Sequence, residues 1–375
     1  MSLSIRGLGT ALPPFTFSQE AIAGFSRTTC CEDADQAEFS QLIYSHSGVH
    51  QRHSVVLRDN CQEPPYPQSF YPTESCGRGP STGRRMQEYA DCAPPLAVAA
   101  SKKALAQAGI GNDEVTHVVS VSCTGFMAPG IDMALVAGLG LKPTVERTHL
   151  GFMGCHGAIN GLKVARGCLA AEPEARVLVC CVELCTLHFF MGWDPEKIVA
   201  NALFADGAAA VICQNYDSPG NNAGEMGSNG AADSDPWRLA AVGTVRIPDS
   251  GSAMTWEIGD FGFEMGLSRR IPELIGLHLR GYVKSWLDRQ GLALADVASW
   301  AVHPGGPKIL DAVEQALTLP PPALKTSRAV LAEHGNMSSP TLLFILDRLR
   351  RELAPRPCVA LGFGPGMVVE AALLV

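Results

Sequence analysis

The order of apolar segments repeats once along the chain, and that repeat constrains the fold more than any other feature. In the first half an amphipathic segment, RRMQEYADCAPPLAVAASKKALAQAG (84–109), precedes a buried-strand run, THVVSVSCTG (116–125). A helix over 155–170, the strand RVLVCCVE (176–183) and the strand DGAAAVICQ (206–214) complete the unit. The second half has the same order. IPELIGLHLRGYVKSWLDRQG (271–291) leads to VASWAVHPGG (297–306), and GNMSSPTLLFILDRLRR (335–351) leads to PCVALGFGPGMVVEAALLV (357–375). Two units of one element order imply a pseudo-duplicated α/β fold, with halves at 1–215 and 216–375. Ligands in such folds collect where corresponding strand and helix ends meet, which would gather CTG, GCHG, HPGG and GNMSS around one site.

Composition removes several classes of function. The 29 Lys and Arg against 37 Asp and Glu give a net charge of −8, with no dense basic run, so a nucleic-acid binder is not expected. No stretch approaches the roughly 18 apolar residues of a membrane span, and MSLSIRGLGTALPP lacks the apolar core of a signal peptide. The 13 cysteines are odd in number and several lie in the apolar run RVLVCCVELC, which reads as reduced thiols in a cytoplasmic protein. The Pro-rich stretch 61–83 reads as a surface loop, Asp206–Gly207 as a turn opening its strand, and the Gly/Asn/Asp-rich stretch 215–235 as a loop.

Chemistry centres on HLGFMGCHGAING (149–161), where Cys155 follows a glycine at the start of an apolar helix. Metal binding is not expected: Cys155 and His156 are adjacent, diverge by about 100° on a helix, and have no second pair at zinc spacing. A redox role lacks a Cys-x-x-Cys motif. Two readings stay open locally, a small buried thiol or a nucleophile. Helix-start N–H groups and dipole favour a thiolate, and Gly154 and Gly157 allow close approach. A nucleophile also needs a base or cationic partner and oxyanion donors. His303 in AVHPGGP could supply the first and Asn336 in HGNMSS the second; singly, they also read as a core histidine and a helix cap.

GFMGCHGAINGLKVA, ALFADGAAAVI, AVHPGGPKILDAVEQAL, GNMSSPTLLFILDRLR and GFGPGMVVEAALL resemble, in order, the corresponding blocks of chalcone-synthase-like type III polyketide synthases. The resemblance covers most of the chain from about residue 84. It implies the thiolase fold, two pseudo-duplicated α/β halves in a layered αβαβα architecture. It also implies decarboxylative condensation of malonyl-CoA with an acyl thioester, in a homodimer and without metal or redox cofactor. By this resemblance Cys155 is acylated, His303 pairs with the thiolate and binds the thioester carbonyl, and Asn336 polarises the malonyl thioester. Phe204 matches a gatekeeping phenylalanine and Met265 replaces a second one. Cys123 and Cys185 stand at cavity positions that are threonine in plant enzymes, Ser338 matches a cavity serine, and Gly305 and Gly306 let the pantetheine arm pass.

Other positions depart from the plant pattern. Phe39, Leu42 and His46 fall where basic residues contact coenzyme A phosphates, and only Arg52 keeps a charge. Either other groups, such as Arg84 or Arg85, bind the phosphates, or the acyl donor is partly an acyl carrier protein. Ala128, beside Met127, replaces a methionine that crosses into the partner subunit. The alternatives are a stand-alone ketosynthase making one condensation, a Cys-His-Asn hydrolase lacking the papain-type signature, and a non-catalytic module, which would need no nucleophile.

Overall fold

The structure, a computed structural model, describes residues 3–61, 63–64, 66–73, 77–216 and 236–375. Its first half runs β1 (Leu3–Ala11), β2 (Thr16–Ser18), α1 (Gln19–Cys30), α2 (Ala34–Ser45), β3 (Gln51–His53), α3 (Thr82–Ala108) and β4 (His117–Ser122). It continues with α4 (Ile131–Leu139), β5 (Glu146–Gly151), α5 (Gly157–Ala171), β6 (Val177–Leu184), α6 (Pro195–Leu203) and β7 (Asp206–Asn215). The second half opens with β8 (Trp237–Arg246), β9 (Met254–Gly259), β10 (Gly262–Leu267), α7 (Ile271–Asp288) and β11 (Ser299–Val302). It closes with α8 (Pro307–Leu317), α9 (Lys325–His334), α10 (Ser339–Arg351), β12 (Cys358–Gly364) and β13 (Val368–Leu374).

The internal repeat is visible in strand pairing. The strands run β11-β12-β13-β8-β1-β7-β6-β4-β5. β1 is antiparallel to β7, β7 antiparallel to β6, and β6 parallel to β4. β8, β13, β12 and β11 follow the same sequence of pairings. The two sets join through a short ladder in which Leu3, Ser4 and Ile5 face Leu239, Arg238 and Trp237.

Three apolar clusters occupy the spaces between layers. Ala97, Ala100 and Ala104 of α3 cover the outer face of the first set, and Leu279, Val283 and Trp286 of α7 cover the second. Between the sets lie α5 and α10, where Ile159, Leu162, Leu342 and Leu346 pack against Val179, Val211, Ala360 and Ala372. The result is the αβαβα layering of the thiolase fold. α3 lies so close to β1 that a Cβ on Gly7 would sit 2.1 Å from the Ala104 carbonyl. Only glycine allows that approach.

Local expectations changed in several places. Asp206 and Gly207 are not a turn: both are within β7, opposite Leu184 and Glu183. Asp206 is buried and accepts from the N–H groups of Val55 (2.9 Å) and Thr186 (2.8 Å), so its side chain ties segments together. The stretch 61–83 is only partly a surface loop, because Phe70 and Tyr71 are buried and α3 begins at Thr82. Of the stretch 215–235, all beyond Tyr216 lies outside the described residues. No helix among the described residues is long and apolar enough to cross a membrane.

Candidate active site

β5 delivers the chain to Cys155 through a tight corner, with φ of 54° at Phe152 and 70° at Gly154. A Cβ on Gly154 would lie 2.4 Å from Pro365, so the corner packs directly on the GFGPG block. The Gly154 N–H donates to Cys123 Sγ at 3.0 Å. Cys155 occupies a short 3₁₀ turn, Gly154–His156, that feeds α5.

Asn336 comes from the other half. Its N–H donates to the Leu203 carbonyl (2.8 Å) and its carbonyl accepts from Ala205 (2.9 Å), so residues 203–205 fix its backbone. Its Oδ1 accepts from the Ser338 N–H at 2.8 Å, which leaves the amide Nδ2 as a donor. His303 follows β11 and is held by its N–H to the Leu361 carbonyl at 2.9 Å. Neither ring nitrogen of His303 has a partner, although the residue is only 1% exposed.

Cys155, His303 and Asn336 line one cavity of about 390 Å³ together with Phe204, Met265 and Gly305. Cys155, Phe204 and Met265 also border a larger cavity of about 1220 Å³, mouth included, which Cys123, Cys185, Ser338 and Arg52 help line. Phe204 and Met265 therefore stand between two spaces that meet at the thiol. Gly306 lines neither cavity; it caps α8 behind Gly305, with φ of 141°.

Burial pushes the Cys155 thiol up to about 12; hydrogen bonds with Ser338 and Asn336 oppose this, and Glu183 adds to it. Burial likewise lowers His303 to about 3, with His156 acting in the same direction. Each charge alone is disfavoured here. Passing the Sγ proton to the imidazole forms both charges together, each compensating the other.

Arg52 sits elsewhere than a phosphate contact requires. It is 3% exposed, and its Nη1 donates to the carbonyls of Asn201 and Phe204, each at 2.7 Å. It thus holds the Phe204 segment in place and presents no charge to solvent. Arg85 is also buried, donating to the carbonyls of Pro80, Leu187 and Phe189, whereas exposed Arg84 pairs with Glu88 at 3.3 Å. Among the described residues, the one His/Cys/acidic cluster able to hold a metal is His117, Glu146 and Glu172. His117 and Glu146 open β4 and β5, at the strand ends opposite Cys155.

Sequence reasoning missed Glu183, His188 and Trp256. Glu183 is fully buried and accepts from the Cys123 N–H (2.9 Å), Thr124 (2.8 Å) and Ser339 (2.7 Å), linking CTG to the start of α10. A carboxylate inside the apolar run RVLVCCVEL was the available signal. Trp256 of β9 donates to the Cys123 carbonyl at 2.7 Å, and nothing in the sequence reading had identified this hairpin.

His188 stacks on Phe263 at 4.4 Å, donates from Nε2 to the Thr124 carbonyl (2.7 Å) and accepts at Nδ1 from the Phe263 N–H (2.9 Å). Accepting at Nδ1 needs the neutral ring, and burial lowers its pKa to about 3. Because the folded value is depressed, this stability is present above the unfolded pKa of roughly 6.5 and is lost as pH falls towards 3. Thermal unfolding at pH 7.5 and pH 5 should show wild type losing about 2 kcal/mol more than His188→Gln, whose amide can donate and accept in the same places. Equal losses would contradict this assignment.

The duplicated fold and a thiol, imidazole and carboxamide around one cavity suit acyl-transfer chemistry on thioesters. Comparison with known proteins agrees. The family model for the N-terminal domain of chalcone and stilbene synthases matches residues 2–216, and that for the C-terminal domain matches residues 239–375. A 1,3,6,8-tetrahydroxynaphthalene synthase of Streptomyces peucetius subsp. caesius is 30% identical over 375 residues, 99% of this chain and 92% of the relative. A bisdemethoxycurcumin synthase of Oryza sativa subsp. japonica is 33% identical over 397 residues, 99% of this chain and 92% of the relative. The crystal structure of PKS-I from the brown alga Ectocarpus siliculosus superposes with a TM-score of 0.88 at 26% identity, covering 100% of this chain and 98% of that one. The chain belongs to the chalcone and stilbene synthase family, the type III polyketide synthases.

Proposed function

We propose that Cys155 carries the starter and that His303 and Asn336 serve both the loading and the extension steps. The observation behind this reading is the single cavity shared by the three residues, with the Asn336 amide oriented by the Ser338 N–H. In loading, His303 takes the Sγ proton, the thiolate attacks the acyl thioester carbonyl, and the leaving coenzyme A thiolate receives that proton. In extension, the bond from the malonyl methylene to its carboxylate breaks and carbon dioxide leaves. The electron pair becomes a thioester enolate, whose oxygen accepts from the Asn336 amide and the His303 N–H. The enolate carbon attacks acyl-Cys155, the C–S bond breaks, and the product is two carbons longer. Neutral donors suit the site, since a nearby cation would hold the carboxylate that must depart. No metal or redox step enters this scheme.

In this reading the chain works as two halves, 1–215 and 216–375, with Cys155 from the first and His303 and Asn336 from the second. Phe204 and Met265 gate the passage, while Cys123, Cys185 and Ser338 shape the cavity and Gly305 and Gly306 flank the pantetheine path. Arg52 acts as a positioning residue beneath Phe204. Coenzyme A esters are the donors, in a cytoplasmic homodimer. An exposed edge at β5, with Phe126, Met133 and Met153 about 40% exposed nearby, supports pairing of two copies. Mass spectrometry of products from malonyl-CoA and a panel of acyl-CoAs tests the reading. A ladder of masses separated by two-carbon units is expected, and a single extension would favour the one-condensation alternative.

A further inference from the structure

The larger cavity reaches beyond the reacting thiol. Besides Cys155, Cys185 and Thr186, it is lined by an apolar arm of Phe17 from β2 and Ile22 and Phe25 from α1, together with Val56 and Phe189. Another part of its wall is formed by His188, Phe263 and Trp256, which pack together with ring centroids 4.4–5.8 Å apart. The arm is built on an aromatic group in which the Phe25 ring centroid lies 6.4 Å from that of Tyr71 and 5.5 Å from that of Phe189.

The lining also contains polar side chains, most of them committed to the protein; Arg52 gives Nη1 to the Asn201 and Phe204 carbonyls, while its Nε and Nη2 are buried without a partner. Tyr71 donates its hydroxyl hydrogen to the Thr186 carbonyl (2.7 Å), and Gln68 uses its amide on the Tyr71 backbone at both ends (2.7 and 3.0 Å). Asn201 uses its amide on the Phe190 backbone (2.9 and 2.8 Å), and Ser54 meets Thr186 Oγ1 at 2.7 Å. Thr186 Oγ1 in turn donates to Asp206 at 2.5 Å. Lys197 and Glu264 pair with each other. A growing polyketide has a carbonyl at every second carbon and would strand most of those acceptors here. A hydrocarbon needs none.

We infer that this arm holds the tail of a linear aliphatic acyl group attached to Cys155, so the starter class is a straight-chain fatty acyl thioester. The inference rests on the assignment of Cys155 as the loading residue. Its energetic signature is graded, because each buried methylene contributes about fourfold in affinity.

The test is transfer of acyl groups from straight-chain acyl-CoAs of two to sixteen carbons and from benzoyl-CoA, followed by intact-protein mass spectrometry. The apparent affinity should rise about fourfold per methylene until the arm is full, and then level off. In Ile22→Trp the break should move to shorter chains, with the ratio of decanoyl to acetyl loading falling about 16-fold as two methylenes are displaced. Phe25→Ala, which enlarges the arm, should move the break to longer chains, and acetyl loading in each sample reports an intact site. Loading blind to chain length, or confined to acetyl or benzoyl groups, would overturn the inference while leaving Cys155 as the loading residue. Absence of all acyl transfer to Cys155 would instead contradict the reading on which it rests.

Discussion

Cys155→Ala should make no extended product from any acyl-CoA and malonyl-CoA, a loss on the order of 10⁶-fold, as for removal of other acylated nucleophiles. The substitution removes one sulfur from a buried site that tolerates a small side chain, so the fold should persist. His303 and Asn336 are held by backbone partners that do not involve the thiol: Leu361 for one, Leu203 and Ala205 for the other. Malonyl-CoA decarboxylation should therefore continue in the variant. Carbon dioxide release without condensation is the expected pattern, and normal product formation would contradict the mechanism.

Asn336→Ala should lower malonyl-CoA decarboxylation by on the order of 10²–10³, the usual effect of deleting one oxyanion donor. Acyl loading should fall much less. It still has the thiol and His303 in the same cavity. Residues 203–205 grip the Asn336 backbone, so the local structure should survive removal of its side chain. Stopped-flow loading and a carbon dioxide assay on the same preparation separate the two steps. Equal losses in both would contradict the division of labour.

Much of the architecture was legible because it depends on local pattern. Apolar runs such as THVVSVS and RVLVCCVE are buried along their whole strands, and their repetition in the second half set the strand order. The Cys155 corner was legible through its flanking glycines, and the structure gives Gly154 the positive φ that favours glycine. What stayed hidden depends on contacts distant in sequence. Arg52 looks like a surface cation until the carbonyls of Asn201 and Phe204 close over it. Asp206–Gly207 looks like a turn until the N–H groups of Val55 and Thr186 give the carboxylate a buried role. The apolar arm draws on α1, on Val56 and on Phe189, and no sequence period connects these positions.

Three thiols border the same cavity, Cys123, Cys155 and Cys185, so the central claim is a claim about which one reacts. The corner geometry, the start of α5 and the cavity shared with His303 and Asn336, which Cys123 and Cys185 do not line, select Cys155. The most direct measurement is tandem mass spectrometry of peptides from wild-type protein exposed to a straight-chain acyl-CoA without malonyl-CoA. A single acyl group on Cys155, discharged when malonyl-CoA is added, is the predicted result; a stable acyl group on Cys123 or Cys185, with Cys155 unmodified, would contradict it.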